Sequence, residues 1–520
     1  MALLGNLKGS AQLFQSTEFY NGVAKQSLRF EMGDSAYLYR TPSSAGNRRT
    51  FTFSAWIKRG NFDENNVGGG SDTTIFSAGT SSVFDTLRFV SQSFTSIKNI
   101  LQLYTFDGSN DYSEEVNRGF RDSGSWYHIV FAVDTTQSTA GNRVKYYVNG
   151  TLQTSVGQYY AQVPQNYQTS YNHTEPQWIG RNINSTGRYF DGYMAEVNFV
   201  DGTQYDASYF GETKNGVWIA KEPNVTYGTN GFRLQFKEVG GSANSSGIGA
   251  DTSGNGNHFS ISGFTGYDSV WKDSPENNFS VMTDLSFPST TDNIAEGGLR
   301  VGKTDQMVHA STFAFPTSGK WYWEIYSKSS DGSNYYMPYA GVCNTTFFHG
   351  EQDVGGNAGD GLFQKSGFSY IRGNDAKYKN LTGTSVVDGT NTATEGQAGT
   401  EQGIVGFALD VDAGTIKYYW NNSLVRTDST LTAGDEYFAF TLATNSGSNI
   451  WNYNYFNFGQ DSTFANQITQ GGNSDGNGIG DFKYSPPSGH LALCATNLPE
   501  PIIGPNSATQ ADDHFNTVTF

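Results

Sequence analysis

The chain has 520 residues and a formal net charge of −17, from 49 acidic and 32 basic side chains. This length accommodates roughly two to four domains. The charge argues against nucleic acid as a partner, because such binding depends on lysine and arginine at the phosphates. No segment reaches the roughly 18 apolar residues of a membrane span, so we expect no membrane insertion.

The composition favours β-structure. Aromatic residues account for 15% of the chain and glycine for 62 positions. Short alternating runs are separated by clusters of Gly, Asn, Asp and Ser, which end strands and build turns. Apolar stripes at helical spacing are scarce. We therefore predict an all-β protein built from antiparallel sandwiches.

The first domain is predicted over residues 27–205, after an N-terminal arm of mixed composition at 1–26. Residues 51–58 place alternate apolar side chains on one face, and 126–134 is apolar on both faces, as expected of an inner sandwich strand. The predicted strands are 27–30 and 36–39, read as a short pair, then 51–58, 126–134, 144–148, 177–181 and 189–199.

A second domain is predicted over residues 286–500, with strands at 319–326, 404–412 and 415–420. Its hairpin segment Lys417-Tyr418-Tyr419-Trp420-Asn421 echoes Lys145-Tyr146-Tyr147-Val148-Asn149 of the first domain, and both end at turn-forming asparagines. Residues 206–285, rich in Gly, Asn and Ser, are interpreted as a semi-ordered connector. Residues 501–520 are interpreted as a polar C-terminal tail.

No catalytic constellation is evident in the sequence. The E-x-D-x-x-E pattern of paired acids on one strand and the H-E-x-x-H motif are both missing. The seven histidines show no ligand spacing, and His128 is interpreted as a packed core residue. Cys343 and Cys494 are interpreted as buried free thiols, with one disulfide as the alternative. We predict that the protein is not an enzyme.

Candidate ligand-binding residues lie on predicted loops, where aromatic rings stack on sugar C–H faces and amides take the hydroxyl groups. Ordinary loop packing is the alternative for each of them. The first-domain candidates are Tyr167, Tyr171, Asn172, His173, Arg181, Asn182 and Tyr189, and the second-domain candidates are Tyr335, Tyr336, Tyr339, Phe347, Phe348 and His349.

Calcium is the one cofactor that the sequence suggests. Asp107, Asn110 and Asp111 offer oxygen ligands on a tight loop, and calcium is bound by six to eight oxygens. A solvated hairpin turn explains the same residues.

Two sets of motifs resemble known families. The segments 53–58, 126–130, 144–150 and 179–181 resemble a laminin-G/pentraxin-type concanavalin sandwich, and 319–324, 404–410 and 418–422 resemble a SPRY domain. The connector phrases at 227–232, 251–257 and 273–279 resemble those of marine bacteriophage virion proteins that join these two domains. The resemblance implies two concanavalin-like jelly-roll sandwiches in tandem.

From the resemblance we expect a phage virion surface protein, a tail fibre or capsid appendage, that binds a host-surface glycan or receptor through sandwich-edge loops. Its other partners would be virion proteins and, in a homo-oligomer, copies of itself. We expect synthesis in the host cytoplasm without a signal peptide. A purely structural decoration or adaptor protein is the alternative, and a polysaccharide-degrading enzyme is disfavoured by the missing acid pairs.

Overall fold

The structure, a computed structural model, describes residues 19–60, 62, 72–90, 98–183, 188–265, 267–283, 294–302, 308–329, 339–344, 368–372, 377–379, 385–386, 403–442 and 452–499. These residues divide into two compact units, 19–277 and 278–499. Apart from single-turn 3-10 helices at Ala140–Asn142, Ala207–Tyr209 and Ala495–Asn497, the described elements are strands. The all-β prediction is confirmed. No helix in the described ranges is long and apolar enough to cross a bilayer.

The first unit carries seventeen strands among its described residues. They are β1 (Leu28–Phe30), β2 (Tyr37–Arg40), β3 (Thr50–Arg59), β4 (Asp72–Gly79), β5 (Phe84–Val90), β6 (Ile100–Phe106), β7 (Asp111–Gly119), β8 (Tyr127–Asp134), β9 (Val144–Val148), β10 (Thr151–Leu152), β11 (Val156–Gly157), β12 (Gln177–Ile179), β13 (Gly192–Asp201), β14 (Gly211–Lys214), β15 (Val217–Ala220), β16 (Phe232–Leu234) and β17 (Ser260–Ser262).

Two antiparallel sheets of the first unit pack face to face. One runs β1-β13-β3-β8-β9-β10, with β16 also paired to β13, and the other runs β11-β7-β6-β5-β4-β12-β2-β17. The predicted apolar face of β3 is fully buried in the shared core, where Phe53 stacks on Phe76 of β4 at 5.0 Å between ring centroids. The predicted pairing of the first two strands is wrong, because β1 pairs with β13 and β2 with β12 and β17.

The echoed hairpins adopt the same turn. Asn149 and Gly150 have φ angles of 47° and 80° between β9 and β10. Asn421 and Asn422 have φ angles of 45° and 69° in the second unit. Two consecutive residues with positive φ match the type I′ turn, whose twist suits antiparallel strands and which favours asparagine and glycine. The sequence echo therefore reflects a shared turn requirement.

Residues 206–277 belong to the first unit, although all of them fall in the segment 206–285 that we interpret from the sequence as a connector. Strand β16 extends the seven-stranded sheet through β13, and β17 extends the eight-stranded sheet through β2. The polar residues between these strands close a loop. Asp251 accepts the backbone N–H groups of Arg233 (2.9 Å) and Asn257 (2.8 Å).

The last part of this segment is fixed to β3 by a buried ion pair. The ammonium of Lys58 lies 2.7 Å from the carboxylate of Asp273, and both side chains are fully buried. The indole N–H of Trp126 donates to the same carboxylate at 3.1 Å, and the hydroxyl of Ser27 donates to the Asp273 carbonyl at 2.6 Å. Burial lowers the pKa of Lys58, while Asp273 opposes that shift.

The second unit is also a two-sheet sandwich. The described strands are β18 (Met282–Thr283), β19 (Ile294–Ala295), β20 (Arg300–Gly302), β21 (Val308–Ser311), β22 (Lys320–Ser329), β23 (Tyr339–Asn344), β24 (Phe368–Arg372), β25 (Lys377–Lys379), β26 (Ser385–Val386), β27 (Ile404–Asp410), β28 (Thr415–Trp420), β29 (Ser423–Asp428), β30 (Tyr437–Leu442) and β31 (Asn452–Asn457). The sheets run β18-β21-β30-β23-β24-β25-β26 and β19-β20-β31-β22-β27-β28-β29. Tandem sandwiches are thus confirmed.

An irregular segment, 458–499, completes this unit. Its main anchor is the fully buried Glu324 of β22, whose carboxylate accepts the backbone N–H groups of Lys483 and Tyr484, each at 2.8 Å. The side-chain amide of Asn457 donates to the same group at 3.2 Å. Cys343 and Cys494 are buried thiols that are not joined by a disulfide, in agreement with the first of the two interpretations from the sequence.

We expect Asp273→Ala to lower the free energy of unfolding of the first unit by about 3–5 kcal/mol, because it leaves the Lys58 charge buried without its partner. Urea unfolding measures this difference. Glu222→Ala is the control, since Glu222 is 69% exposed and its partner Arg233 keeps Glu196. The Glu222→Ala control should lower the free energy of unfolding by at most about 1 kcal/mol. Equal losses in the two variants would contradict the assignment of Lys58–Asp273 as the anchor.

Candidate functional site

A cleft of about 320 Å³ lies on the outer face of the eight-stranded sheet. Side chains alternate between the two faces of a strand, so the neighbours of core residues Leu87 and Leu103 point away from the core. The cleft is lined by Asp72, Phe84, Arg88, Val90, Gln102, Tyr104, Tyr159, Tyr160, Asn182 and Arg188.

An ion-pair network forms one side of the cleft. The guanidinium of Arg88 lies 2.7 Å from one carboxylate oxygen of Asp72, and Arg188 lies 2.9 Å from the other. The Nε of Arg88 donates to the amide oxygen of Gln102 at 2.8 Å, and the Gln102 amide donates to Glu115 at 2.5 Å. Residues 88, 102 and 115 are register partners on β5, β6 and β7, which is why they meet.

Aromatic rings form the other side. Tyr104 lies under the Arg88 guanidinium, 4.6 Å from the ring centroid, and its ring is 5.7 Å from that of Tyr160. Tyr159 packs edge-on against Tyr160 at 4.9 Å. The two outer tyrosines are 53% and 42% exposed. Burial, together with the hydrogen bond that Tyr104 donates to Asp111, raises the pKa of Tyr104, so this phenol stays protonated.

The lining groups suit binding better than bond cleavage. Glycoside hydrolysis ordinarily needs two facing carboxyl groups. Asp72 is the one carboxylate among the described lining residues, and two arginines neutralise it.

A buried Ser–His contact elsewhere in the unit is structural. His128 lies within 2.9 Å of the Ser54 hydroxyl through Nε2, and its Nδ1 accepts the indole N–H of Trp218 at 3.0 Å. Since Nδ1 accepts, the ring proton is on Nε2 and is donated to Ser54, the reverse of what a general base requires. Burial lowers the pKa of His128 to about 3. Rings of Trp56 and Trp218 stack on it at 4.9 and 5.9 Å.

Two predicted ligand residues must be corrected. Tyr171 is fully buried, stacks on Phe76 and donates its hydroxyl to the Phe76 carbonyl at 2.9 Å. Asn172 is also fully buried, and its amide is held by Asp201 at 2.5 Å and Asn230 at 2.8 Å. Neither side chain can contact a ligand, because both are buried. The prediction is wrong because aromatic and amide side chains on a loop also suit core packing and turn closure.

The other first-unit candidates have different surroundings. Asn182 lines the cleft. Arg181 lies over the Tyr37 ring at 4.8 Å, and Tyr189 stacks on the same ring at 6.2 Å between centroids. Tyr167 packs against the core, and His173 is half-buried outside the cleft lining.

The second-unit candidates cannot be compared in the same way. Tyr335, Tyr336, Phe347, Phe348 and His349 lie outside the described residues, and of Tyr339 only the backbone, in β23, is described.

The predicted calcium loop forms a closed turn. Asp107 accepts the backbone N–H groups of Ser109 (2.9 Å) and Asn110 (2.7 Å), and its second oxygen accepts the hydroxyl of Tyr112 at 3.1 Å. Asp111 accepts the hydroxyl of Tyr104. Internal donors thus occupy both oxygens of Asp107 and one oxygen of Asp111, and calcium binding here stays a prediction.

Comparison with known proteins supports the fold of the first unit. Residues 32–206 match the family model described as the concanavalin A-like lectin/glucanases superfamily. No curated protein matches the chain.

Solved structures resemble parts of the chain. A candidate carbohydrate binding protein from Bacteroides ovatus is 17% identical, with a TM-score of 0.30, and the match covers 46% of this chain and 57% of that one. Domains LG4-5 of the mouse laminin alpha1 chain are 8% identical, with a TM-score of 0.26, over 81% and 82% of the two chains. The TRIM65 PSpry domain is 12% identical, with a TM-score of 0.22, over 29% and 69%.

We expect the first unit to lose stability in acid because of His128. Its folded pKa of about 3 lies below the usual 6.5, so its contribution is complete above pH 6.5 and falls as the pH drops towards 3. The loss of unfolding free energy between pH 7 and 4.5 should be on the order of 3 kcal/mol larger in the wild type than in His128→Phe.

Urea unfolding at both pH values measures this difference. His173→Gln, at a half-buried position outside this stack, is the control. Partial burial and Arg48 lower the pKa of His173 as well, but this side chain is not enclosed as His128 is, so the control should keep most of the wild-type dependence. Identical pH profiles for the wild type and His128→Phe would contradict the assignment.

Proposed function

We propose that the first unit is a carbohydrate-binding module whose site is the cleft on the eight-stranded sheet. The observation that carries the proposal is the pairing of exposed Tyr159 and Tyr160 with the ion-paired guanidinium groups of Arg88 and Arg188 around one cleft. The match to the concanavalin A-like lectin/glucanases superfamily supports it.

The chemistry of the cleft suits a sugar. Aromatic faces bury the C–H surface of a pyranose ring, while a few fixed donors and acceptors orient its hydroxyl groups. Arg88 is held by Asp72 and Gln102 before any ligand arrives. Such preorganisation reduces the entropy lost on binding.

This proposal moves the site from the loops to a sheet face. The sequence-based hypothesis assigned binding to loops at the sandwich edge, and of those candidates Asn182 lines the cleft. The remaining lining residues come from β4, β5 and β6 and from the segments around 159–160 and 188.

We expect the double variant Tyr159→Ala/Tyr160→Ala to bind its glycan at least about 10-fold more weakly, a loss of about 1.4 kcal/mol. A glycan array of the full-length protein identifies the ligand, and isothermal titration calorimetry measures the affinity. Tyr209→Ala, at a 38% exposed tyrosine outside the cleft lining, is the control. No binding to any glycan, or equal weakening in the control, would overturn the proposal.

We further propose that the protein acts on the surface of a phage particle, as a tail-fibre or capsid-appendage component. The supporting observation is the resemblance of its connector phrases to those of marine phage virion proteins. The net charge of −17 is compatible with such a role. Homo-oligomerisation and contacts with other virion proteins belong to the same proposal, since several weak sites gain avidity together.

Mass spectrometry of particles purified from the phage that encodes the chain should detect its peptides at a stoichiometry comparable to other structural proteins. Absence of these peptides from intact particles would overturn the virion role. If the chain is present in particles but silent on the glycan array, the purely structural adaptor function is favoured.

A further inference from the structure

We propose that the same sheet face holds a second aromatic subsite, made by Tyr37, Tyr39 and Trp178, and that both subsites together bind the interior of an extended, uncharged polysaccharide chain. This inference rests on the proposed carbohydrate-binding function. It adds a second site and the class of ligand.

The strand register brings the two subsites onto one face. Tyr104 of β6 is the partner of Thr86 on β5, and Thr86 is the partner of Ser77 on β4. Ser77 in turn pairs with Trp178 on β12, which pairs with Tyr39 on β2. In antiparallel sheets, direct partners point to the same side.

The flanking positions confirm which side this is. Leu38, Phe76, Leu87, Leu103 and Ile179, one residue before or after the members of the row, are all in the core. The row of residues 104, 86, 77, 178 and 39 therefore points outward, on the face that carries the cleft.

The second subsite has the composition of a sugar platform. Tyr39 is 39% exposed, and its ring lies 5.7 Å from that of Tyr37. The Tyr37 ring is itself covered, by the Arg181 guanidinium at 4.8 Å and by the Tyr189 ring at 6.2 Å. Tyr37 thus supports the platform from behind, and Tyr39 offers the exposed ring. Trp178, half-buried, is the direct neighbour of Tyr39 across the ladder. These rings are not needed to fill the core, which lies on the opposite side of the sheet.

The segment between the subsites connects them. The hydroxyl of Ser77 donates to the carbonyl of Arg181 at 2.6 Å, which holds residues 181–182 against the sheet. From this segment Asn182 lines the cleft, and Arg181 lies at the second platform. Asn182 is only 1% exposed, so a ligand crossing the segment would meet the half-buried side chain of Arg181.

Spacing and charge define the ligand class. Three strand intervals separate Tyr104 from Trp178, a distance of about 14 Å at the usual strand spacing. One sugar ring cannot contact both, whereas a chain can. Arg88 and Arg188 share the carboxylate of Asp72. Gln102 links Arg88 to a further carboxylate, Glu115. The guanidinium groups are thus held by acceptors of the protein, and the net charge of −17 opposes the approach of a sulfated or uronic chain, which favours an uncharged one.

The test uses the full-length protein with soluble xylan, galactomannan, laminarin and dextran, with alginate as the charged comparison. Oligosaccharides of increasing length are then prepared from the neutral polysaccharide that binds best. We expect wild-type affinity to rise with length and alginate to bind more weakly than that polysaccharide.

The double variant Tyr39→Ser/Trp178→Ala should lose about 10-fold affinity for the long chains and keep wild-type affinity for the shortest binding oligosaccharide. Tyr160→Ala should lose affinity for both. Tyr267→Ser, at a 51% exposed tyrosine outside the row, is the control. Tyr39→Ser alone, at an exposed position, repeats the test if the double variant does not fold.

The outcomes separate the two proposals. Unchanged affinity of the Tyr39 and Trp178 variants for long chains, together with reduced affinity of Tyr160→Ala, overturns the second subsite and leaves the cleft proposal standing. Tighter binding of alginate overturns the assignment of an uncharged ligand. Failure of the wild type to bind any of these chains, or any glycan on the array, overturns both proposals.

Discussion

The first unit depends on one buried electrostatic contact, that of the Lys58 ammonium with the Asp273 carboxylate. Both groups leave water completely, and their contact with each other, together with the N–H that Trp126 donates, offsets the loss of hydration. The consequence is that residues 206–277, which look like linker in composition, remain on the sandwich. Segment 268–277 packs at its β1 edge, where Arg29 pairs with Asp268 and lies over Trp271.

This covering explains where a ligand can bind. The outer side of β3, β8 and β13 is occupied by a second small core containing Val130, Val200 and Phe210, and by the stack around His128. The eight-stranded sheet instead presents Arg88, Tyr104 and the exposed tyrosines on its outer side. One sheet is thus covered by a second small core and the other carries a cleft, and the proposed binding face follows from this difference.

Much of the fold could be predicted from the sequence because polar and apolar residues alternate clearly along several core strands. Residues 51–58 and 144–148 have one apolar face, and their predicted bounds are within a residue or two of β3 and β9. Strands β4 to β7 were missed. In β5 the outward positions include Phe84 and Val90 as well as Arg88, so alternation between polar and apolar residues is weak. The cleft was missed for a related reason, since Asp72, Arg88 and Gln102 meet through strand pairing between residues 14 to 16 positions apart.

The extent of the fold differs from the extent of the recognisable family pattern. The pattern ends at residue 206, but β16 and β17 and the partner of Lys58 all follow it. A fragment that ends at residue 206 would expose Val200 and the indole of Trp56 to water. It would also leave the charge of Lys58 in the sheet without Asp273. Such a fragment should aggregate even though every motif of the sandwich is present. A fragment that contains the first unit therefore has to extend to residue 277.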